Sequence, residues 1–118
     1  NFAVEVARIL DDKGAINTQA FDFTETKDYI VEYSIVCSAS NKRQTSSLAD
    51  FVINGVKEKY NVRPIGIDGK DDGRWAVVDY GGLIIHIFYD FVRQEYLLEQ
   101  LWKGAAKLDY KPEKSDSL

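Results

Sequence analysis

Residues 75–89 read WAVVDYGGLIIHIFY. Two runs of β-branched and aromatic residues flank Gly81-Gly82. Such runs suit a pleated, half-buried strand. A glycine pair tolerates the positive φ that a two-residue hairpin turn requires. The chain must therefore double back here as an antiparallel hairpin. The turn also sets the register, with Tyr80 opposite Leu83 and Val77 opposite His86. A three-residue turn would exchange the two faces, because side chains alternate with a period of two.

Directly opposed residues share a face. One predicted face holds Ala76, Val78, Tyr80, Leu83, Ile85, Ile87 and Tyr89. It is nearly all apolar and should sit on helices. The other holds Trp75, Val77, Asp79, Ile84, His86 and Phe88. It mixes aromatics with a carboxylate and the only histidine of the chain. A buried unpaired carboxylate is costly. This face is therefore expected to be partly open to solvent or to a partner, since aromatics among scattered polar groups are the composition of interface hot spots. The plainer alternative makes Trp75 and Phe88 core, with the third helix covering this face, Asp79 a turn former and His86 structural.

The rest of the chain supplies the cover. Phe2, Val6, Ile9 and Leu10 recur at helical spacing, and Gly14 is a plausible stop. Residues 20–23 are a short strand candidate, 24–28 a polar loop, and 29–37 (YIVEYSIVC) a buried strand. Ser40 or Asn41 can cap a second helix, which carries Leu48, Phe51, Val52 and Val56 and runs to about Tyr60. Arg63-Pro64 breaks it. Residues 65–67 give a short strand, and 68–73 a polar turn cluster. Asp90 can cap a third helix with Phe91, Leu97, Leu98, Leu101 and Trp102, ending at Gly104. The predicted order is α-β-β-α-β-β-β-α. That order implies an α/β domain over residues 1–104, with a mixed sheet of about five strands and helices packed on it. Residues 105–118 read as a polar tail, expected to be frayed or disordered.

Composition excludes several functions. A length of 118 residues suits one domain. No apolar run approaches the roughly 20 residues of a membrane span, so no membrane partner is expected. With 15 basic and 19 acidic side chains the net charge is -4. An acidic domain argues against phosphate-driven nucleic-acid binding and is compatible with a basic protein partner. Cys37 is the only cysteine, which rules out an internal disulfide and fits a reducing, cytoplasmic setting. The N-terminus has no basic segment followed by an apolar one. Methionine is absent, so a trimmed natural start is expected, and a short leader could have been lost with it.

The sequence offers little for catalysis. One His and one Cys do not suit a zinc site, and no motif surrounds a serine as a triad would need. No cofactor or metal is expected. Asp71-Asp72 lies in a glycine-flanked turn, where solvated charge is the ordinary reading. The segment CSASNKRQ (37–44) is the remaining candidate. A strand, small-residue loop and helix N-terminus can cradle phosphate, with Ser40, Lys42 and Arg43 around the anion. It has neither GxxxxGK[ST] nor GxGxxG. The helix dipole does not favour cations at that end, which hints at a role for the pair.

Three blocks then carry a resemblance: EYSIVCSASNKRQTSSLADFV (32–52), GRWAVVDYGGLIIHIF (73–88) and EQLW (99–102). Taken in order and spacing, they are similar to the ribosomal silencing factor, or Iojap-like, family. With the first helix the resemblance spans residues 1–104. Glu32 stands where the family usually has Asp, Ser34 where it has Phe and Ala39 where it has Gly. Gly82 replaces a residue that is usually acidic, so the hairpin tip has one negative charge fewer. The resemblance implies a non-catalytic fold distantly related to nucleotidyltransferases. It implies binding to the large ribosomal subunit through the basic ribosomal protein number fourteen, with small-subunit joining blocked and translation lowered when nutrients are scarce. A role in large-subunit assembly, as in organelle relatives, is the alternative, as is residual nucleotide binding. A homodimer in the free state is also implied. The residues expected at the partner are Asp72, Arg74, Trp75, Asp79, Tyr80, His86 and Phe88, with Tyr96 and Trp102 on the last helix.

Overall fold

The computed structural model describes residues 2–25, 31–90, 92–93 and 106–108. In chain order the elements are α1 (Phe2–Asp12), β1 (Ile16–Asp22), β2 (Tyr33–Ala39), α2 (Lys42–Tyr60), β3 (Gly66–Asp68), β4 (Trp75–Asp79), β5 (Leu83–Tyr89) and β6 (Ala106–Leu108). The strands form one six-stranded sheet in the order β3-β4-β5-β2-β1-β6. Among the described strands only β2 and β5 pair in parallel, and every other neighbouring pair is antiparallel. The fold is thus the mixed α/β sheet that the sequence predicts.

The hairpin has the expected register. Val77 lies opposite His86, and the Tyr80 N–H donates to the Leu83 carbonyl at 2.8 Å. Gly81 supplies the positive φ, at 89°. The predicted apolar face is the main core. Ala76, Val78, Leu83, Ile85 and Ile87 pack with Ile35, Cys37 and Ala39 of β2. α1 contributes Ala3, Val6, Ala7 and Leu10, and α2 contributes Leu48, Ala49, Val52 and Val56. Both helices therefore cover the same side of the sheet. Gly55 lets them approach closely, since a Cβ there would lie 3.3 Å from the Ile9 side chain.

Three features differ from the sequence reading. β1 begins at Ile16 rather than residue 20. Asn17 has φ 54° and the register shifts between Ile16 and Gln19, so the regular alternation that marks a strand is broken there. β2 runs to Ala39, so Ser38 and Ala39 are fully buried strand residues and not loop. Small side chains suit a strand with helices pressed onto it, although in sequence they look like a turn. Residues 106–108, inside the stretch read as a polar tail, form β6 and pair with Ala20–Asp22 of β1. Backbone pairing with an open strand edge needs no apolar signature. The expected third helix is described only at its start, where Asp90, Val92 and Arg93 have helical backbone. The remainder of 91–104, Tyr96 and Trp102 included, lies outside the described residues.

Ile85 sits at the centre of the helix-covered face and is fully buried. Ile85→Ala is expected to cost about 2–5 kcal/mol. Urea denaturation followed by circular dichroism measures it. A loss below about 1 kcal/mol would contradict the placement of this face.

Candidate docking face

The second face of the hairpin is built differently. Trp75 and Phe88 are direct cross-strand partners. Their rings stack at 4.8 Å between centroids with 25° between planes. Phe88 is fully buried and belongs to a second, smaller core with Phe21, Phe23 and Val36, against which Val31, Trp75 and Val92 pack. Phe88 is therefore core, and Trp75 lies half-buried on top of it. The half-buried Val77 and Ile84 complete the apolar part of the face.

His86 lies beside the stack. The Trp75 indole N–H donates to His86 Nδ1 at 3.1 Å. A ring that accepts at Nδ1 carries its neutral-form proton on Nε2. Burial pushes the imidazole down to about 4 from its ordinary 6.5. It is therefore neutral across the physiological range and acts as a fixed hydrogen-bonding ring, not as a titrating group.

The charged residues frame this centre. Asp79 is on the same face, paired with Ile84 near the turn, and its Oδ1 accepts the Gly81 N–H at 2.8 Å. The carboxylate thus has a turn-forming job, as the plainer reading of the sequence held. Asp72 and Arg74 are exposed and form an ion pair at 2.8 Å. The hydrogen bond from Arg74 holds the Asp72 carboxyl below its ordinary range. The turn that carries them abuts the start of α2. Gly73 has φ 81°, and a Cβ there would sit 2.6 Å from the Lys42 carbonyl oxygen.

The structure does not bring Tyr80 to this face. Its ring makes an edge contact with Phe2 at 5.8 Å and packs against the helix-covered core. The alternation along the strand requires this, because Tyr80 shares the parity of Val78. Two residues that the sequence does not place at the site do matter. Glu32 lies at the hairpin tip, where a Cβ on Gly82 would be 2.8 Å from its Oε1. The tip therefore carries a carboxylate from the neighbouring segment although residue 82 has no side chain. Arg93 is buried, and its Nη1 donates to the Asn17 carbonyl at 2.8 Å and to Ser38 Oγ at 2.9 Å. That arginine ties the irregular part of β1 to the end of β2. Neither role leaves a local sequence signal, because both depend on contacts between distant segments.

The strand-to-helix junction at 38–44 is largely self-satisfied. The Asn41 side chain caps α2 by accepting the Gln44 N–H at 2.8 Å. Gln44 Oε1 in turn accepts the N–H of Ser40 at 2.6 Å and its hydroxyl at 2.8 Å. Lys42 and Arg43 are exposed on the first turn. Cys37 is fully buried, and burial raises its thiol to about 12, so it is not a nucleophile. Among the described residues, no three His, Cys, Asp or Glu side chains group as metal ligands, and no helix is long and apolar enough to cross a membrane.

Known proteins share the family and the fold of this chain. The family profile described as "ribosomal silencing factor during starvation" matches residues 1–117. The chain belongs to the ribosomal silencing factor family. It is similar to the ribosomal silencing factor RsfS of Bacillus subtilis, with 30% identity over 106 residues that cover 88% of each chain. It is 38% identical over 76 residues to that of Haemophilus influenzae, covering 64% of this chain and 74% of the relative. A crystal structure of a Chromobacterium violaceum protein superimposes with a TM-score of 0.77 at 26% identity, over 94% of this chain and 90% of the other.

His86 makes stability depend on pH. Its folded pKa of about 4 lies below the ordinary 6.5, so the unfolded chain binds the proton first as pH falls. Stability is complete above about pH 6.5 and declines as pH drops toward 4, by roughly 3 kcal/mol at most. Denaturation midpoints across that window measure the effect. His86→Gln is expected to flatten the profile between the two values.

Proposed function

We propose that this protein binds the large ribosomal subunit through the basic ribosomal protein number fourteen, and that by occupying that site it keeps the small subunit from joining. Translation then falls when nutrients are scarce. Family membership supports the ribosomal setting. The observation that carries the docking assignment is the half-buried Trp75, held by Phe88 and His86 on the side of the sheet that α1 and α2 leave uncovered. A rigid, pre-positioned aromatic loses little freedom on binding, which is what a hot spot needs. Asp72, Asp79 and Glu32 place carboxylates around it, which suits a basic partner and steers the encounter.

The mechanism is steric. A domain of this size offers an interface of about 1,600 Å², far less than the contact between two ribosomal subunits. It need only bind first. The protein acts in the cytoplasm and performs no chemistry. A free-state homodimer through the same face would have to part before docking.

Sucrose-gradient sedimentation of purified subunits mixed with the protein tests this reading. The wild type is expected to raise the share of unjoined subunits and to travel with the large one. Trp75→Ala is expected to weaken binding by about thirtyfold, the effect of losing a hot spot of roughly 2 kcal/mol. Because Trp75 also packs on Phe88, the exposed Asp72→Lys serves as the second variant, with wild-type stability and weaker, less salt-sensitive binding. If both variants bind as the wild type does, the face is wrong. If the protein binds immature large subunits and leaves joining unchanged, the assembly role replaces this one.

A further inference from the structure

A second surface lies on the helix side of the sheet, away from Trp75. α2, the 61–65 connection and the edge strand β3 enclose an open groove of about 410 Å³, lined by Ile53, Asn54, Lys57, Arg63, Pro64 and Ile67. Its floor is aliphatic, and its lining includes two cations and no acid. Large hydrophobics crowd its margin. Tyr60, Val62, Ile65 and Ile67 are exposed, with Ile65 at 75%. Elsewhere among the described residues only Ile16 and Phe51 are so exposed. Scattered exposed aliphatics need no explanation, but a contiguous group beside a groove marks an interaction surface.

The charges indicate what the groove accepts. The protein is acidic, at -4. Arg8, Lys59, Lys70 and Arg74 each have a carboxylate within ion-pair reach. Among the described residues Lys57 and Arg63, like Lys13, Lys42 and Arg43, have no carboxylate within ion-pair reach, and of these only Lys57 and Arg63 line the groove. Lys57 Nζ instead donates to the neutral Asn61 side-chain oxygen. A cation pair without acids, beside exposed aliphatics on an otherwise acidic molecule, favours a ligand with carboxylates flanking an apolar side chain. Arg63 can take a carboxylate with its planar fork, and Lys57 as a point charge.

We propose that this groove docks an acidic, aliphatic segment of a partner protein. Strand addition does not hold it. β3 has three residues and follows Pro64, which lacks an N–H, and short, proline-flanked edges resist pairing. Recognition runs instead through side chains, with an aliphatic residue against Ile53, Pro64 and Ile67 and flanking carboxylates on Lys57 and Arg63. The groove and the Trp75 face lie on opposite sides of the sheet, so the protein can hold two partners at once and link one to the other.

Nuclear magnetic resonance of the ¹⁵N-labelled protein provides the test. The probe is a six-residue peptide alternating leucine and aspartate. Saturable shifts are expected at the amides of Ile53, Asn54, Lys57 and Ile67, with a dissociation constant below about 1 mM. Combining Lys57→Glu with Arg63→Glu is expected to weaken binding by at least about tenfold and to leave the remaining spectrum unchanged. A peptide alternating leucine and lysine is expected to give no shifts. The proposal is overturned if the acidic peptide leaves these amides unmoved or binds the charge-reversed protein equally well. It is also overturned if the same amides shift with protein concentration alone, which would assign the groove to a second copy. Equal shifts with inorganic phosphate would reduce it to a simple anion site and overturn it too. Ribosome binding is read separately, so failure here leaves the proposed function standing.

Discussion

The parallel pairing of β2 with β5, from Tyr33 opposite Leu83 to Ala39 opposite Tyr89, is the contact on which the rest of the structure depends. The two strands are separated in sequence by α2, β3 and β4. Bringing them together costs loop-closure entropy, which burial of both strands must offset. The register then dictates what shares each face. Val36 falls opposite His86 and Ser38 opposite Phe88. The small core beneath Trp75 is therefore made from two distant segments, and so is the hairpin tip, where the Glu32 and Tyr33 N–H groups both donate to the Gly82 carbonyl at 2.9 Å.

The two faces of that sheet have different fates for a simple reason. α1 and α2 are both amphipathic and both settle on the side of Ile35, Ile85 and Ile87. Their apolar stripes saturate it. On the other side Phe21, Phe23, Val36 and Phe88 exclude water from a smaller patch, and Trp75, Val77, Ile84 and His86 remain half-exposed around it. Stacking on a fully buried ring and bonding to a neutral imidazole leave the Trp75 indole few alternative positions. The indole is thus fixed in place by the packing beneath and beside it.

Local signals were legible where a short-range rule applies. The hairpin register followed from Gly81-Gly82 and the alternation on either side. The start of α2 followed from Ser40 or Asn41 as cap, of which Asn41 makes it, and its end from Arg63-Pro64, although Asn61 in a left-handed conformation makes the actual stop. Other features were not legible because no local rule encodes them. Asn17 and the bulge hide the first half of β1. β6 is three residues long and is recognisable only by the strand beside it. Tyr80 is expected at the partner with the residues of the family resemblance, whereas strand parity, already readable in the sequence, assigns it to the apolar face, where it packs. Phe88 could be either contact or core until Val36, Phe21 and Phe23 were seen around it.

By itself, the sequence determined the α/β class, the pairing of the hairpin, the division of its side chains into two faces and the family to which the chain is similar. These follow from periodicity, turn chemistry and motif order, all of which act over a few residues. Only the tertiary structure decided how much of the second face is open, that His86 is held neutral by burial and placed to accept from Trp75, that Glu32 puts a carboxylate at the hairpin tip, and that Lys57 and Arg63 meet beside an aliphatic groove. Each of these depends on segments far apart in the chain coming into contact, and solvent exclusion and electrostatics are set by that contact rather than by neighbouring residues.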